Sequence, residues 1–355
     1  MMREALNVFN FWGAGNMGDD LMLAGFLDAL DQFGVSYNGR FSSLCSYNVA
    51  SQNLRFPMIN WIDSATSPSW RLALARTEMV IGLGDTPFQL TSGDWSLKHL
   101  EEVCKCIPTE TETVFINIGA EQECLSKAKD FAAILHHVNR CSTRDSFSHS
   151  VLRKISPDSN TQLSVGGDLA NISLESISRQ LSSNGKFKLG VILGYDTLSS
   201  ADLSAIKEAI KTMRDPVAFI TGDYRDGPGF EFQLFKSWTK HWLSPLRRKL
   251  ILRRPDYGLC TLLDLVQPVA ECETVLSSRF HGLLAAAWLG CRVAALGRSS
   301  KVVALAKECN IPCIEPPFDS QRVQALIKDA SVVARTRLKQ FKEESLNGIL
   351  ACKFW

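Results

Sequence analysis

The run Leu6-Asn-Val-Phe-Asn-Phe-Trp12 leads directly into Gly13-Ala-Gly-Asn-Met-Gly18 and then into the helical pattern of Asp19–Phe33. A β-rich apolar segment, a glycine turn and a helix in that order form the unit from which parallel α/β sheets are built. The unit recurs along the chain. Further strands are expected at Met58–Ile62, Met79–Leu83, Val114–Ile118 and Leu163–Val165, with helices such as Ser96–Cys106 and Ser126–Val138 between them. The polar run Leu181-Ser-Ser-Asn-Gly-Lys186 then interrupts the series and reads as a linker.

A second series follows, with strands expected at Lys188–Leu193, Val217–Thr221, Leu250–Leu252, Thr274–Ser277, Val293–Leu296 and Pro312–Ile314. Helices are expected over Ser200–Met213, His281–Leu289, Lys301–Glu308 and much of Asp319–Asn347. The fold class is therefore α/β: two Rossmann-like domains, 1–182 and 183–355, facing a cleft, with the last helix packing back on the first domain. In such an arrangement ligands gather at the carboxyl ends of the strands.

Composition narrows the function. The chain has 355 residues, 45% hydrophobic and 21% charged, enough for two packed cores. No apolar run approaches the ~20 residues of a membrane span, and Leu283–Gly290, the most lipid-like stretch, is far too short. A net charge of +2 provides no field for nucleic acid, so no nucleic-acid partner is expected. The eleven cysteines are odd in number and lack metal spacing, and the N-terminus lacks an export signal. They read as reduced thiols in a cytoplasmic protein, with no metal site.

Gly13–Gly18 satisfies the G-x-G-x-x-G pattern, which admits a dinucleotide. However, Asp19 and Asp20 place carboxylates where a pyrophosphate would bind, and Ser36–Arg40 provides no acid for a ribose. A bare turn with Asp19 capping the helix is one alternative. A loop reading hydroxyls is the other, since Asn16 and Asp19 suit sugar hydrogen bonds.

Ser277-Ser-Arg-Phe-His-Gly282 joins a strand to an alanine-rich helix. Arg279 and His281 therefore fall at a strand's carboxyl end and a helix N-terminus, where an Arg fork can hold an anion and a histidine can move a proton. In isolation the pair also fits an Arg–carboxylate bridge beside a helix-capping histidine. Two further junctions carry cations: Leu296–Lys301, with Arg298 and Lys301, and Ser142–Ser148, with Arg144. Together they describe a pocket for a small, multiply charged anion.

These residues resemble the polysaccharide pyruvyl transferase family. The matching features are the Gly13–Asp19 turn, Arg144 with Ser148, Gly167–Ala170, the S-x-R-h-H-x-x-x-x-A signature over Ser277–Ala286, then Gly290 and Lys301. The chain departs from the family pattern at Gly82-Leu-Gly-Asp85 and at Gly290-Cys-Arg292. The resemblance implies a glycosyltransferase B-like fold and an enzyme that moves the enolpyruvyl group of phosphoenolpyruvate to a saccharide, forming a pyruvate ketal in cell-surface glycan biosynthesis. Phosphoenolpyruvate is then a co-substrate, with no cofactor.

On this reading His281 and Arg279 are catalytic. Arg144, Arg279, His281 and Lys301 bind the donor, and Asn16 and Asp19 bind the acceptor. The alternatives are a glycosyltransferase using a nucleotide sugar on the same fold and a saccharide- or anion-binding module without catalysis. Lys236–Arg254 contains seven Lys or Arg, no acid, and Trp238 and Trp242. It reads either as a solvated basic face or as a peripheral contact with an anionic inner membrane face carrying a lipid-linked acceptor.

Overall fold

The computed structural model describes the whole chain except residues 1, 10, 66–67, 92, 159, 195–197, 227–229 and 241–244. Two compact units result. The first comprises Met1–Ala14, Asp19–Ser173 and Gln340–Trp355; the second comprises Gly15–Gly18 and Leu174–Lys339.

The first unit is built on β1 (Ala5–Asn7), β2 (Phe41–Cys45), β3 (Asn60–Asp63), β4 (Met79–Leu83), β5 (Glu112–Ile118), β6 (Arg140–Thr143) and β7 (Gln162–Val165). They form one parallel sheet in the order β3-β2-β1-β4-β5-β6-β7. Its core joins Leu6, Val80 and Phe115 to Phe88 and Phe131. The apolar runs at β4 and β5 were legible because strands covered on both faces are continuously hydrophobic. The expected strands at Met58–Ile62 and Leu163–Val165 appear as β3 and β7, while three other expectations are corrected. β1 stops at Asn7 rather than Trp12, and β2 and β6 occur where no strand was expected.

The second unit holds β8 (Phe187–Ile192), β9 (Val217–Ile220), β10 (Leu250–Arg253), β11 (Cys272–Ser277), β12 (Arg292–Leu296), β13 (Cys313–Ile314) and β14 (Ser331–Val332). The parallel order is β10-β9-β8-β11-β12-β13, with β14 antiparallel to β12. The expected helix over Asp319–Asn347 is in fact two, Ser320–Asp329 and Arg335–Cys352. Ala330 leaves the helical region at ψ 138°, and Ser331–Val332 pairs with β12 between them. The Leu181–Lys186 run carries no regular element, and Ser183 and Asn184 donate backbone hydrogen bonds to Leu289 and Ala270.

Trp238 corrects the reading of the basic stretch. It packs edge-on against Phe219 at 6.0 Å in the core of the second unit and is buried, so it cannot sit in a lipid interface. Trp242 lies outside the described residues. Three of the cations are tied internally: Lys249 Nζ donates to Lys211 O, Arg253 pairs with Glu271, and Arg254 pairs with Asp226. Lys236, Lys240, Arg247 and Arg248 remain exposed. No helix among the described residues is long and apolar enough to cross a membrane.

Candidate active site

In each sheet the strand order reverses beside its first strand, and in open parallel sheets ligands bind at the carboxyl ends of the strands flanking that reversal. In the second unit those strands are β8 and β11. The Ser277–His281 junction follows β11 directly. Ser277 Oγ accepts from Arg279 N at 2.9 Å, and Ser278 is anchored by hydrogen bonds to Ile192 O and Gly194 O, each 3.0 Å. Arg279 is thereby the extended residue that opens the helix Phe280–Trp288.

The Arg279 side chain is held from behind by acids. Its Nε donates to Glu231 Oε1, and its Nη2 lies 3.5 Å from Asp223 Oδ2. Glu231 is fully buried, and its other oxygen accepts from Gly222 N at 2.5 Å and Asp223 N at 3.1 Å. Burial pushes the Glu231 carboxyl above the usual carboxylate range, while the Arg279 guanidinium pulls it down and Asp223 adds to the rise. Asp223 also accepts from Arg225, Nε at 2.9 Å. The Arg–carboxylate bridge that the sequence admitted is therefore real, and it presents the guanidinium at the sheet end. Asp223 and Glu231 stand 56 and 48 residues from Arg279 and were not foreseen. The only sequence signal for Glu231 was its place as an acid between Phe230 and Phe232.

The glycine turn belongs to this site. Gly15 O accepts from Tyr224 N at 2.6 Å, Met17 N donates to Gly222 O at 2.9 Å, and Asn16 bridges to Asp223. A Cβ on Gly18 would stand 1.9 Å from His281 Nδ1, so only glycine lets the turn close on the imidazole. His281 is half-buried and edge-on to Phe280 at 5.2 Å. Asn16 Oδ1 accepts from Gly18 N at 3.0 Å, shaping the turn locally. Asp19 is buried in the first turn of the helix Met17–Gln32. Asp20, whose charge argued against a pyrophosphate, is committed to Arg55 at 3.2 Å and Gln52 at 2.9 Å in the first unit.

The other cations lie on separate elements. Arg298 follows β12, and its Nε donates to Ser278 O at 2.8 Å. Lys301 is half-buried in the first turn of the helix Ser300–Glu308. Arg144 lies in the first unit after β6. It is buried, with Nε 3.3 Å from Asp145, and a side chain at Gly119 would run into its guanidinium. Asp145 caps the helix Ser146–Ile155 through Ser148 N at 2.6 Å. Asp168 likewise forms a turn, accepting from Ala170 N at 3.0 Å.

A sequence profile described as polysaccharide pyruvyl transferase matches residues 16–300 of the chain. No curated protein matches. Among solved structures, Anabaena Alr3699/HepE in complex with UDP-glucose is similar with a TM-score of 0.59 at 10% identity, covering 99% of this chain and 95% of that one. A UDP-N-acetylglucosamine 2-epimerase is similar at 0.56 and 12% identity, over 99% and 94%. A glycosyltransferase from Rickettsia africae ESF-5 is similar at 0.52 and 13% identity, over 98% and 93%. At such identities the likeness establishes the fold, a two-domain α/β architecture of glycosyltransferase B type.

Proposed function

We propose, for a chain that belongs to the polysaccharide pyruvyl transferase family, transfer of the enolpyruvyl group of phosphoenolpyruvate to two hydroxyls of a saccharide. The observation that supports this is the Arg279–His281 pair at the reversal point of the second sheet, with the guanidinium braced by buried Glu231. A donor bearing phosphate and carboxylate needs guanidinium forks. A proton delivered to its methylene carbon generates an oxocarbenium that the first hydroxyl attacks, and the second hydroxyl then displaces phosphate and closes the ketal.

His281 is the proposed acid and Arg279 the proposed charge-stabilising group. Arg144 and Lys301 are proposed as further donor contacts, and Asn16 and Asp19 as acceptor contacts. A cytoplasmic location with a saccharide or lipid-linked acceptor fits this chemistry. Membrane contact would rest on Lys236, Lys240, Arg247 and Arg248, the exposed cations of the basic stretch. The competing reading is a nucleotide-sugar glycosyltransferase, because HepE carries UDP-glucose on a similar fold.

Calorimetric titration with phosphoenolpyruvate and with UDP-glucose separates the two. Binding of phosphoenolpyruvate that is lost in Arg279→Ala supports pyruvyl transfer. Binding of UDP-glucose alone overturns it.

A further inference from the structure

We propose that Glu231 is a positioning residue that fixes both working groups of the site, Arg279 directly and His281 through the glycine turn. The inference rests on the pyruvyl-transfer reading for the reaction it serves, while its geometry stands on the second unit alone. Glu231 opens the helix Glu231–Thr239 and is wholly buried. A carboxylate is held in such a place only when donors surround it. One of its oxygens accepts from Arg279 Nε, and the other accepts from the amides of Gly222 and Asp223. Neutralising Arg279 needs only the first bond, and Asp223 already stands beside that guanidinium.

The second oxygen acts on the turn. In a trans peptide the N–H and C=O point in opposite directions. With the Asp223 N–H drawn toward Glu231, the Gly222 carbonyl faces away from it and accepts from Met17 N at 2.9 Å. Tyr224 N donates to Gly15 O at 2.6 Å and Asn16 bridges to Asp223, so Gly15–Gly18 is grouped with the second unit. Gly18 lies so close to the His281 ring that a Cβ there would stand 1.9 Å from Nδ1. The grip of Glu231 is thereby passed through one peptide and one turn to the imidazole. Glu231 is also held from both sides. Phe230 carries the Arg225 guanidinium 4.3 Å from its ring centre, and Arg225 Nε donates to Asp223 at 2.9 Å. Phe232 carries Arg254 at 4.4 Å, and Arg254 Nη2 donates to Tyr224 O at 2.5 Å. Both chain neighbours of Glu231 are stapled to the segment that it holds.

The test isotope-labels the histidine rings of the full-length protein for NMR, assigns His281 by its loss in His281→Gln, and follows the fold by circular dichroism. In Glu231→Gln the carboxamide can serve the two amides only by turning its NH2 on Arg279, so the double grip is broken. The His281 ring resonances should shift, and phosphoenolpyruvate affinity should fall at least tenfold. Glu231→Asp keeps the charge but is one methylene short of reaching both partners. It should shift the same resonances, and it carries the test if Glu231→Gln fails to fold. Glu271→Gln breaks the pair with Arg253 at the opposite end of β11 and should leave His281 and the affinity as they are. Unmoved His281 resonances or native phosphoenolpyruvate affinity in a folded Glu231 variant, or an equal shift in Glu271→Gln, overturns the proposal. Shifted resonances in a protein whose unaltered form fails to bind phosphoenolpyruvate keep the positioning role and sink the pyruvyl donor.

Discussion

The first unit closes the ends of β4 and β5 with backbone turns, amides and aromatic rings and carries buried Arg144 beside Asp145 after β6, whereas the second unit gathers its charge at the end of β11, although both sheets share the same doubly wound order. In the first unit Asp85 and Asn117 take left-handed conformations, each with φ 53°, just beyond β4 and within β5. The Asn117 side chain accepts from Ser142 Oγ and donates to Ser345 O, each at 2.8 Å, and the Phe88 ring lies edge-on to Phe115 and tilted against Phe131. In the second unit Arg279 follows β11 and Arg298 follows β12, and Asp223 and Glu231 stand behind Arg279. Topology sets where a ligand can be read, and the loop residues decide whether backbone strain or buried charge occupies the place.

The sharpest way to break this contrast is His281→Ala. A lost general acid typically costs 10²–10⁴-fold in rate, and phosphoenolpyruvate affinity should stay within about tenfold because the guanidiniums hold the donor. Single-turnover rates set beside donor dissociation constants decide it, and an unimpaired rate removes His281 from the chemistry. Arg279→Lys should weaken donor binding nearly as much as Arg279→Ala, since an ammonium cannot reproduce the fork. Full recovery by Lys would reduce the contact to simple charge.

Stability offers a matched pair. Glu231→Ala leaves Arg279 beside Asp223 without its buried partner, and Asp20→Ala strips Arg55 in the first unit. Breaking such pairs typically costs about 3–5 kcal/mol, readable from urea unfolding. A much smaller loss in Glu231→Ala would mean that the second unit's charges are not held for stability.

Proton linkage separates the units more gently. His99, on the helix Trp95–Cys106 of the first unit, donates to Val8 O at 2.7 Å, and burial holds its pKa below the ordinary histidine value of 6.5. The folded protein therefore binds fewer protons than the unfolded chain there. The contribution of His99 is complete above about pH 6.5 and is lost as pH falls below it. His99→Gln should flatten that acid slope, and an unchanged slope would place the sensitivity elsewhere.

The smallest effect is expected from Asp85→Gly. Relieving a left-handed non-glycine residue removes strain of about 1 kcal/mol. A melting temperature that does not rise would show that the Asp85 side chain repays its strain.

The strands missed in the sequence share one cause. β2, Phe-Ser-Ser-Leu-Cys, and β6, Arg-Cys-Ser-Thr, place hydroxyls inside a sheet, which reads as loop. Their polarity is satisfied by amides far along the chain. Asn7 donates to Ser43 at 2.9 Å, and Asn117 N donates to Ser142 Oγ at 2.8 Å. Trp238 was misplaced for the complementary reason, because a tryptophan amid cations says nothing about which face it turns inward.

By itself the sequence determined that strands alternate with helices, that glycines open the first helix, and that Arg279 and His281 fall at a strand-to-helix junction. Apolar runs, turn residues and motif spacing are local properties, and chain chemistry sets them within a few residues. The tertiary structure alone decided that Glu231 stands behind Arg279, that Gly18 closes on His281, and that Arg298 meets Arg279 over Gly194. Those neighbours are far apart along the chain: the order β9-β8-β11-β12 brings the ends of β9, β11 and β12 together, and backbone hydrogen bonds of Gly15 and Met17 to Tyr224 and Gly222 hold the glycine turn there. Hydrogen bonds and charges act over a few ångströms of space, whatever the distance along the chain.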